Sequence, residues 1–292
     1  MNDAVLRVQS QLTDRDHILL GWLHDHGVLT SFQIAHALYP SIDFAQKRLR
    51  KLVAIAVLAR FRPHKPDGGS YPYHYVLDQL GVDVVSAQRG DELPRRDQAR
   101  KRRWHLTNRA NLPHLLATNQ FFTDLAGHAR IHPDTGLLRW WPAARCQQTG
   151  AFAVDGDDMQ VRAYTAPVRP DGHGIWRERH TTVPFFAEVD RSTEPLWKLV
   201  GKLDGYAALA HATRRVWPVL FWLESPLRER HLHQALTDAR ASYPVATSVR
   251  GDPAMTGRSP ADQVWWLHHR DGGPLRLADL PHTITDGYGQ AA

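Results

Sequence analysis

Apolar residues near the start of the chain recur every three or four positions, which is the period of a helix with one buried face. Thr13 and Asp16 have the spacing of a capping box at the start of a first helix, and Gly27 is typical of its end. The apolar positions between these signals are Ile18, Leu19, Trp22 and Leu23. The pattern therefore predicts an amphipathic helix between Thr13 and Gly27.

Two more helices are predicted directly downstream. The second follows Thr30 or Ser31 and ends at Pro40, because proline cannot continue a helix. The third begins near Asp43 and turns a basic side to solvent, where its cations could enter a DNA major groove. The polar residues of that side are Gln46, Lys47, Arg48, Arg50 and Lys51.

Residues 58–77, LARFRPHKPDGGSYPYHYVL, place two strand patterns around a turn rich in proline and glycine, which predicts a β-hairpin. The cations of this hairpin are Arg60, Arg62, His64 and Lys65. Three short helices and a basic hairpin are typical of a winged helix-turn-helix domain that binds duplex DNA, here over residues 1–90. The alternatives are a small helical domain with a solvated basic face and a winged helix that contacts protein.

Residues 91–104 are polar and basic, which predicts a linker between two domains. Its cations are Arg95, Arg96, Arg100, Lys101, Arg102 and Arg103. Such a run is either a solvated connection or, beside a DNA-binding module, a source of non-specific phosphate affinity. In the second case we expect Arg100, Arg102 and Arg103 to contact DNA.

The remaining residues, 105–292, predict an α/β domain, so that the whole chain belongs to the α+β class. The predicted elements are a helix over 112–129, strands at LLRWWP, DMQVRAYTA and VPFFAEVD, a helix after Pro195, an apolar strand VWPVLFWL, a helix from Pro226 to about Ala241, and short strands near Val245 and Val264. The continuous apolar strand favours a mixed central sheet that is covered on both faces.

Two acidic residues lie where the arms of a hairpin would bring them together. Asp171, in RPDG, precedes Glu188 by seventeen residues, and Asp190 shares a strand face with Glu188. Carboxylates on adjacent strands are ligands for Mg²⁺ or Mn²⁺, and a lysine from the next helix, Lys198 or Lys202, could offset charge on a phosphate.

An alternative without a metal explains each of these residues separately. Asp190 could pair with Arg191 or Lys202, while RPDG is a common turn sequence. Lys198 could pair with Glu194 on the helix surface, since they are four residues apart.

The predicted order αβββαβ resembles the core of the PD-(D/E)xK nuclease-like fold. This chain departs from that pattern at the lysine two residues after the acid, where it has Asp190. The segments HLLATNQFFTDLA, RPDG and FFAEVDRSTEPLWKLVGKLDGYAAL, within residues 10–225, resemble the replication-relaxation family of actinobacterial plasmids and integrative elements. The resemblance implies a role in plasmid replication or DNA relaxation during transfer. The site residues it implies are Asp171, Glu188, Asp190, Lys202, Lys198 and Tyr206.

Relaxation of DNA also suggests a second chemistry. Endonucleases of the HUH type bind metal through a His-apolar-His string and cleave with a tyrosine. His231 and His233 fit that string, but they lie in a predicted helix and not on the strand that this chemistry requires. Tyr206 follows Lys198 and Lys202 by four-residue steps, so it is either the nucleophile or a core or stacking residue.

Composition narrows the partners. The chain of 292 residues has a formal net charge of +6, which favours an anionic partner and above all double-stranded DNA. Cys146 is the single cysteine, which excludes a disulfide framework and a cysteine zinc site. Neither a membrane-length apolar run nor a signal-peptide pattern is present, so we expect a cytoplasmic protein without membrane contact.

Two functions remain open at this point. The first is a Mg²⁺-dependent DNA nickase or nuclease of mobile-element replication or transfer. The second is a non-catalytic DNA-binding accessory factor or transcriptional regulator whose nuclease-like domain is degenerate. A homodimer and contacts with other replication or transfer proteins are possible in either case.

Overall fold

The computed structural model describes residues 3–65, 68–95, 97–107, 109–250 and 257–283. The chain consists of two compact units, Met1–Gly127 and His128–Ala292. Both contain helices and strands, so the predicted α+β class is confirmed. Among the described residues, no helix has the length and apolar character that crossing a membrane would require.

The first unit is mainly helical. Its elements are α1 (Asp3–Gln9), α2 (Asp14–His26), β1 (Leu29–Thr30), α3 (Ser31–Leu38), α4 (Ile42–Ala54), β2 (Leu58–Phe61), β3 (His74–Leu77), α5 (Gln79–Arg89), α6 (Gln98–Thr107) and the greater part of α7 (Leu112–Ile131). The three strands form an antiparallel sheet in the order β1-β3-β2. Helices α2, α3 and α4 followed by the β2–β3 hairpin have the order that the sequence predicts.

Local capping explains the helix boundaries. The Thr13 backbone N–H donates to Asp16 Oδ2 at 2.7 Å, and Thr13 Oγ1 accepts from the Asp16 N–H, which completes the predicted capping box of α2. Thr30 forms the same box with Gln33 at the start of α3. Gly27 ends α2 with φ of +82°, a value that favours glycine. These predictions are confirmed.

The segment after the hairpin contains more helix than the sequence pattern predicts. Helix α5 was missed, although Asp78 caps it and Gly90 ends it in the left-handed conformation. Residues 98–104 of the predicted linker belong to α6. The division between the units lies after Gly127, within α7, and does not coincide with residues 91–104. The predicted domain functions stay predictions.

Among its described residues, the second unit contains a mixed sheet of six strands. They are β4 (Thr135–Pro142), β5 (Gly172–Glu178), β6 (Thr181–Val189), β7 (Val219–Leu223), β8 (Val245–Val249) and β9 (Trp266–Leu267), and they lie in this order across the sheet. Strands β6, β7 and β8 run parallel, and the other neighbours run antiparallel. The helices are α8 (Ala143–Cys146), α9 (Met159–Arg162), α10 (Leu196–Thr213) and α11 (Pro226–Asp238).

One predicted strand is wrong. The segment DMQVRAYTA contains the short helix α9, because the Asp158 side chain accepts the Val161 N–H at 2.9 Å and caps a helical turn. The strand next to β6 is instead β5, which begins directly after RPDG. A glycine is needed there, since a Cβ on Gly174 would lie 2.2 Å from the Phe185 ring.

The core of the second unit fixes the surroundings of Glu188. Phe186 and Phe221, on the central strands β6 and β7, pack with Leu203 and Tyr206 of α10 in one apolar cluster. Side chains alternate along a strand, so Glu188 and Phe186 lie on the same face of β6. Helix α10 therefore covers the face of the sheet that carries Glu188.

Candidate functional site

Glu188 is the centre of a buried polar cluster. It lies on β6 and is 1% exposed. Its Oε2 lies 2.7 Å from Lys202 Nζ, and its Oε1 accepts the Tyr206 hydroxyl at 2.5 Å. Lys202 and Tyr206 are one turn apart on α10, so the four-residue step seen in the sequence brings both to the same carboxylate.

Asp171 lies beside Glu188 on the neighbouring strand. Gly172 pairs with Ala187, and the Asp171 N–H donates to the Ala187 carbonyl at 3.1 Å, so the next cross-strand neighbours are Asp171 and Glu188. Asp171 Oδ2 accepts the Val189 N–H at 2.8 Å, at the point where β5 begins. The carboxylate therefore binds a backbone group at the strand end while it lies next to a second carboxylate.

Burial and charge shift the protonation of this cluster. Burial, and then the neighbouring charge of Asp171, raises the pKa of Glu188 to about 7, although Lys202 and Tyr206 oppose the shift. Burial opposes the charged form of Lys202, but the carboxylates of Glu188 and Asp171 raise its pKa overall. Burial and the Glu188 charge raise the pKa of Tyr206 well above its usual range. Tyr206 is therefore a protonated hydrogen-bond donor to Glu188.

Asp190 faces a different partner. Its Oδ2 lies 2.6 Å from Arg228 Nε on α11, and its Oδ1 accepts the Ser192 N–H at 3.0 Å. The alternative partners predicted for Asp190 are corrected, since Arg191 pairs with Glu224 at 3.7 Å and Lys202 pairs with Glu188. Sequence reasoning missed Arg228 because 38 residues separate it from Asp190.

The predicted three-carboxylate site is thus divided. Asp171 and Glu188 are adjacent, whereas Asp190 forms its ion pair with Arg228 of α11. In the ranges that the structure describes, no three His, Cys, Asp or Glu side chains form a group that could hold a metal ion. Lys198, the other candidate lysine, is exposed and lies beside the ring of Trp197, with its Nζ 5.7 Å from the ring centroid. Metal binding stays a prediction.

The residues of the polar cluster lie within a segment that matches a known family. A family model described as Replication-relaxation matches residues 20–220. The chain belongs to the replication-relaxation family. No curated protein and no solved structure matches the chain. Membership indicates a role in plasmid or mobile-element replication or relaxation. The matched residues include Asp171, Glu188 and Lys202, whereas Arg228 and the His231–His233 string lie beyond them.

The histidine string of this replication-relaxation protein lies on α11, in agreement with the predicted helix. His233 Nε2 lies 2.8 Å from Thr247 Oγ1, and His233 Nδ1 lies 3.3 Å from His268 Nδ1. His231 is exposed. The two histidines therefore do not lie together on a strand as the HUH chemistry requires.

In the first unit, the basic side of α4 divides into one paired residue and several exposed ones. Arg48 Nε donates to Asp16 Oδ1 at 3.0 Å, and the Asp16 side chain is fully buried. The prediction that Arg48 faces solvent is therefore corrected, because Asp16 needs a buried counter-ion. The exposed residues of this side are Gln46, Lys47, Arg50 and Lys51.

The hairpin cations rest against tyrosines. The guanidinium carbons of Arg60 and Arg62 lie 4.2 and 4.9 Å from the centroid of the Tyr73 ring. Lys65 Nζ lies 5.5 Å from the centroid of Tyr71. These contacts limit the motion of long side chains while their charges stay exposed. Pro66 and Asp67, at the predicted turn, lie outside the described residues.

Three cations of the predicted linker have partners within the first unit. Arg102 donates to the His24 carbonyl, and Arg103 lies 3.9 Å from Asp78. Arg100 is exposed and lies 3.7 Å from Asp97. Arg102 is thus more structural than the sequence predicts, and Arg96 lies outside the described residues.

Proposed function

We propose that this replication-relaxation protein binds double-stranded DNA through the first unit. The observation that carries the proposal is the exposed set Lys47, Arg50 and Lys51 on α4, next in the chain to a hairpin with exposed Arg60 and Arg62. Interpreted as a winged helix-turn-helix, the unit would place α4 in the major groove and the hairpin against phosphates. A net charge of +6 favours the same partner.

The test is duplex binding across salt concentrations. Lys47→Ala with Arg50→Ala should weaken binding and lower the slope of log K against log salt by up to about 1.8, at about 0.9 per phosphate contact. Arg109→Ala removes an exposed cation of the same unit outside α4 and serves as the control. An unchanged slope in the double variant, or an equal loss in the control, would contradict the placement of α4.

A second candidate function is metal-assisted cleavage of a phosphodiester at the Glu188 cluster. The observation that favours it is the combination of two adjacent carboxylates, Asp171 and Glu188, with Lys202 Nζ 2.7 Å from Glu188. Hard oxygen ligands of this kind fit Mg²⁺ or Mn²⁺, and these two residues would hold the ion. The bound ion would supply Lewis-acid stabilisation and a more acidic water. Asp190 does not join this set.

The side chains around the carboxylates have defined tasks in such a site. Tyr206 fixes one oxygen of Glu188 by its hydrogen bond. Lys202, 28% exposed, can extend its ammonium towards a phosphate and offset charge that develops there. In this proposal Lys202 replaces the lysine that the PD-(D/E)xK pattern has at the position of Asp190.

Melting scans and plasmid nicking test the catalytic proposal. Mg²⁺ or Mn²⁺ should raise the melting temperature of the wild type, more at pH 8 than at pH 6, because the Glu188 carboxyl must be ionised to bind the ion. Glu188→Gln should abolish this gain and any nicking of supercoiled plasmid. Lys202→Ala should keep the gain and reduce nicking.

Glu194→Gln, an exposed glutamate before α10, is the matched control and should behave as the wild type. If neither ion stabilises the wild type and no plasmid is nicked, the cluster is structural. The protein would then be a non-catalytic DNA-binding factor.

A further inference from the structure

A cavity of about 490 Å³ opens on the second unit beside β4. Arg139 of β4, Arg145 of α8 and Arg162 of α9 line it, together with the carboxylate of Asp155. Three guanidinium groups around one space repel one another and make the cavity positive. None of the functions described so far uses this cavity.

The hydrogen bonds that hold two of these arginines go to neutral groups. Arg145 donates to the Gln148 side-chain oxygen. Arg162 Nε donates to the Asp157 carbonyl at 3.1 Å, and its Nη2 donates to the Val154 carbonyl at 3.3 Å. Such partners orient a guanidinium without cancelling its charge. The positive potential of the cavity is therefore preserved.

The nearby acids leave an excess of positive charge. The Asp157 carboxylate forms an ion pair with Arg215, and the charge of Arg162 also helps to lower the pKa of Asp157. Asp155 lines the cavity and is exposed to solvent. The cavity wall thus carries one carboxylate and three arginines.

The cavity is also held in shape by the fold. The guanidinium carbons of Arg139 and Arg145 lie 4.3 and 5.3 Å from the centroid of the Trp141 ring, which supports both side chains. Gly150 has φ of +69°, and a Cβ there would lie 2.5 Å from the Arg162 carbonyl oxygen. The chain can therefore approach α9 closely only with glycine at this position.

We propose that this cavity binds a phosphate group carried by a nucleotide or by a nucleic-acid strand. Planar guanidinium groups donate two parallel hydrogen bonds to a phosphate, and several of them around one cavity are typical of phosphate recognition. A volume of about 490 Å³ lies within the range of small-ligand sites and suits a nucleotide better than a bare ion.

The position of the cavity connects it with the Glu188 cluster. Phe152 lies between two lining residues, and its ring centroid is 5.6 Å from that of Phe186, two positions before Glu188 on the same strand face. Both sites thus belong to one face of the sheet. A strand bound in the cavity would lie on the sheet face that carries Glu188, and this step rests on the DNA-directed function proposed above, whereas phosphate binding itself does not.

The experiment uses the full chain and two probes, a labelled dT12 strand followed by anisotropy and thymidine 5′-monophosphate followed by calorimetry. Arg145→Ala with Arg162→Ala should weaken dT12 binding at least tenfold and lower its salt slope by about 1.4, at about 0.7 per phosphate contact in single strands. Arg177→Ala, an exposed arginine of β5 outside the cavity, should change dT12 affinity less than twofold.

Arg145→Lys with Arg162→Lys keeps both charges and serves as a control for loss of binding that is caused by misfolding of the alanine variant. This variant should retain the salt slope but lose affinity, because lysine cannot form the two-bond contact. If the monophosphate binds with the same dependence on both arginines and dT12 binds no tighter, the cavity is a site for free nucleotides. Tighter dT12 binding identifies the strand as the source of the phosphate.

Two other outcomes separate the proposals. If the wild type binds DNA and the double alanine variant binds both probes as tightly as the wild type does, the proposed phosphate site is refuted and the DNA-directed function is unaffected. A wild type that binds the monophosphate through Arg145 and Arg162 but binds no DNA would support the cavity and refute that function. A wild type that binds neither probe would refute the cavity as a phosphate site.

Discussion

Replacing Glu188 by glutamine should remove a specific part of the pH dependence of stability. The pKa of Glu188 is raised in the folded protein from its ordinary 4.5 to about 7, by burial first and by the Asp171 charge second. An acid with a raised pKa binds its proton more tightly in the folded state. Its contribution to stability is therefore complete below pH 4.5 and is lost as the pH rises through about 7.

The magnitude follows from the size of the shift. Each pKa unit corresponds to about 1.36 kcal/mol, so a rise from 4.5 to about 7 corresponds to about 3 kcal/mol of unfolding free energy lost between pH 4.5 and pH 8. Glu188 is 1% exposed, so water screens these interactions little, and Lys202 takes part in the same titration. Glutamine keeps the shape and can still accept the Tyr206 hydrogen bond, but it cannot titrate.

Urea unfolding at pH 5, 6, 7 and 8, followed by tryptophan fluorescence, measures the effect. The wild type should lose about 2.5 kcal/mol more than Glu188→Gln between pH 5 and pH 8, and the difference between the two proteins cancels the histidines that titrate in both. Glu194→Gln serves as the control and should follow the wild type. Parallel pH profiles for the wild type and Glu188→Gln would refute the reasoning, because Glu188 would then have the same proton affinity in both states.

Three further changes test contacts between distant parts of the chain. Arg228→Met should destabilise the second unit by about 3 kcal/mol, since it leaves Asp190 buried without its cation, and Asp190→Asn in the same chain should restore most of the loss in urea unfolding. Arg48→Ala should lower the melting temperature, because it leaves the buried carboxylate of Asp16 without its cation, and it should leave the salt slope of DNA binding unchanged. Gly174→Ala should cost about 1–3 kcal/mol in urea unfolding, because the new Cβ would overlap an aromatic ring on β6.

The sequence by itself determined the elements whose signals are local. Thr13 and Thr30 begin α2 and α3 because each side chain binds a backbone N–H three residues ahead, a bond that needs no other part of the chain. The expectation that hairpin arms bring Asp171 and Glu188 together is also met, although β5, the strand that forms the first arm, was not among the predicted strands. The predicted strand at residues 158–166 failed because its alternating pattern competes with a local cap.

Only the tertiary structure decided which charges are paired. Arg48 and Asp16 are 32 residues apart, and Arg228 and Asp190 are 38 residues apart, so no periodic pattern connects them. A buried carboxylate requires a cation, but the packing of helices against each other and against the sheet selects which one. The same packing decided that Lys202 meets Glu188, whereas Lys198, one turn earlier on the same side, is exposed in the first turn of α10.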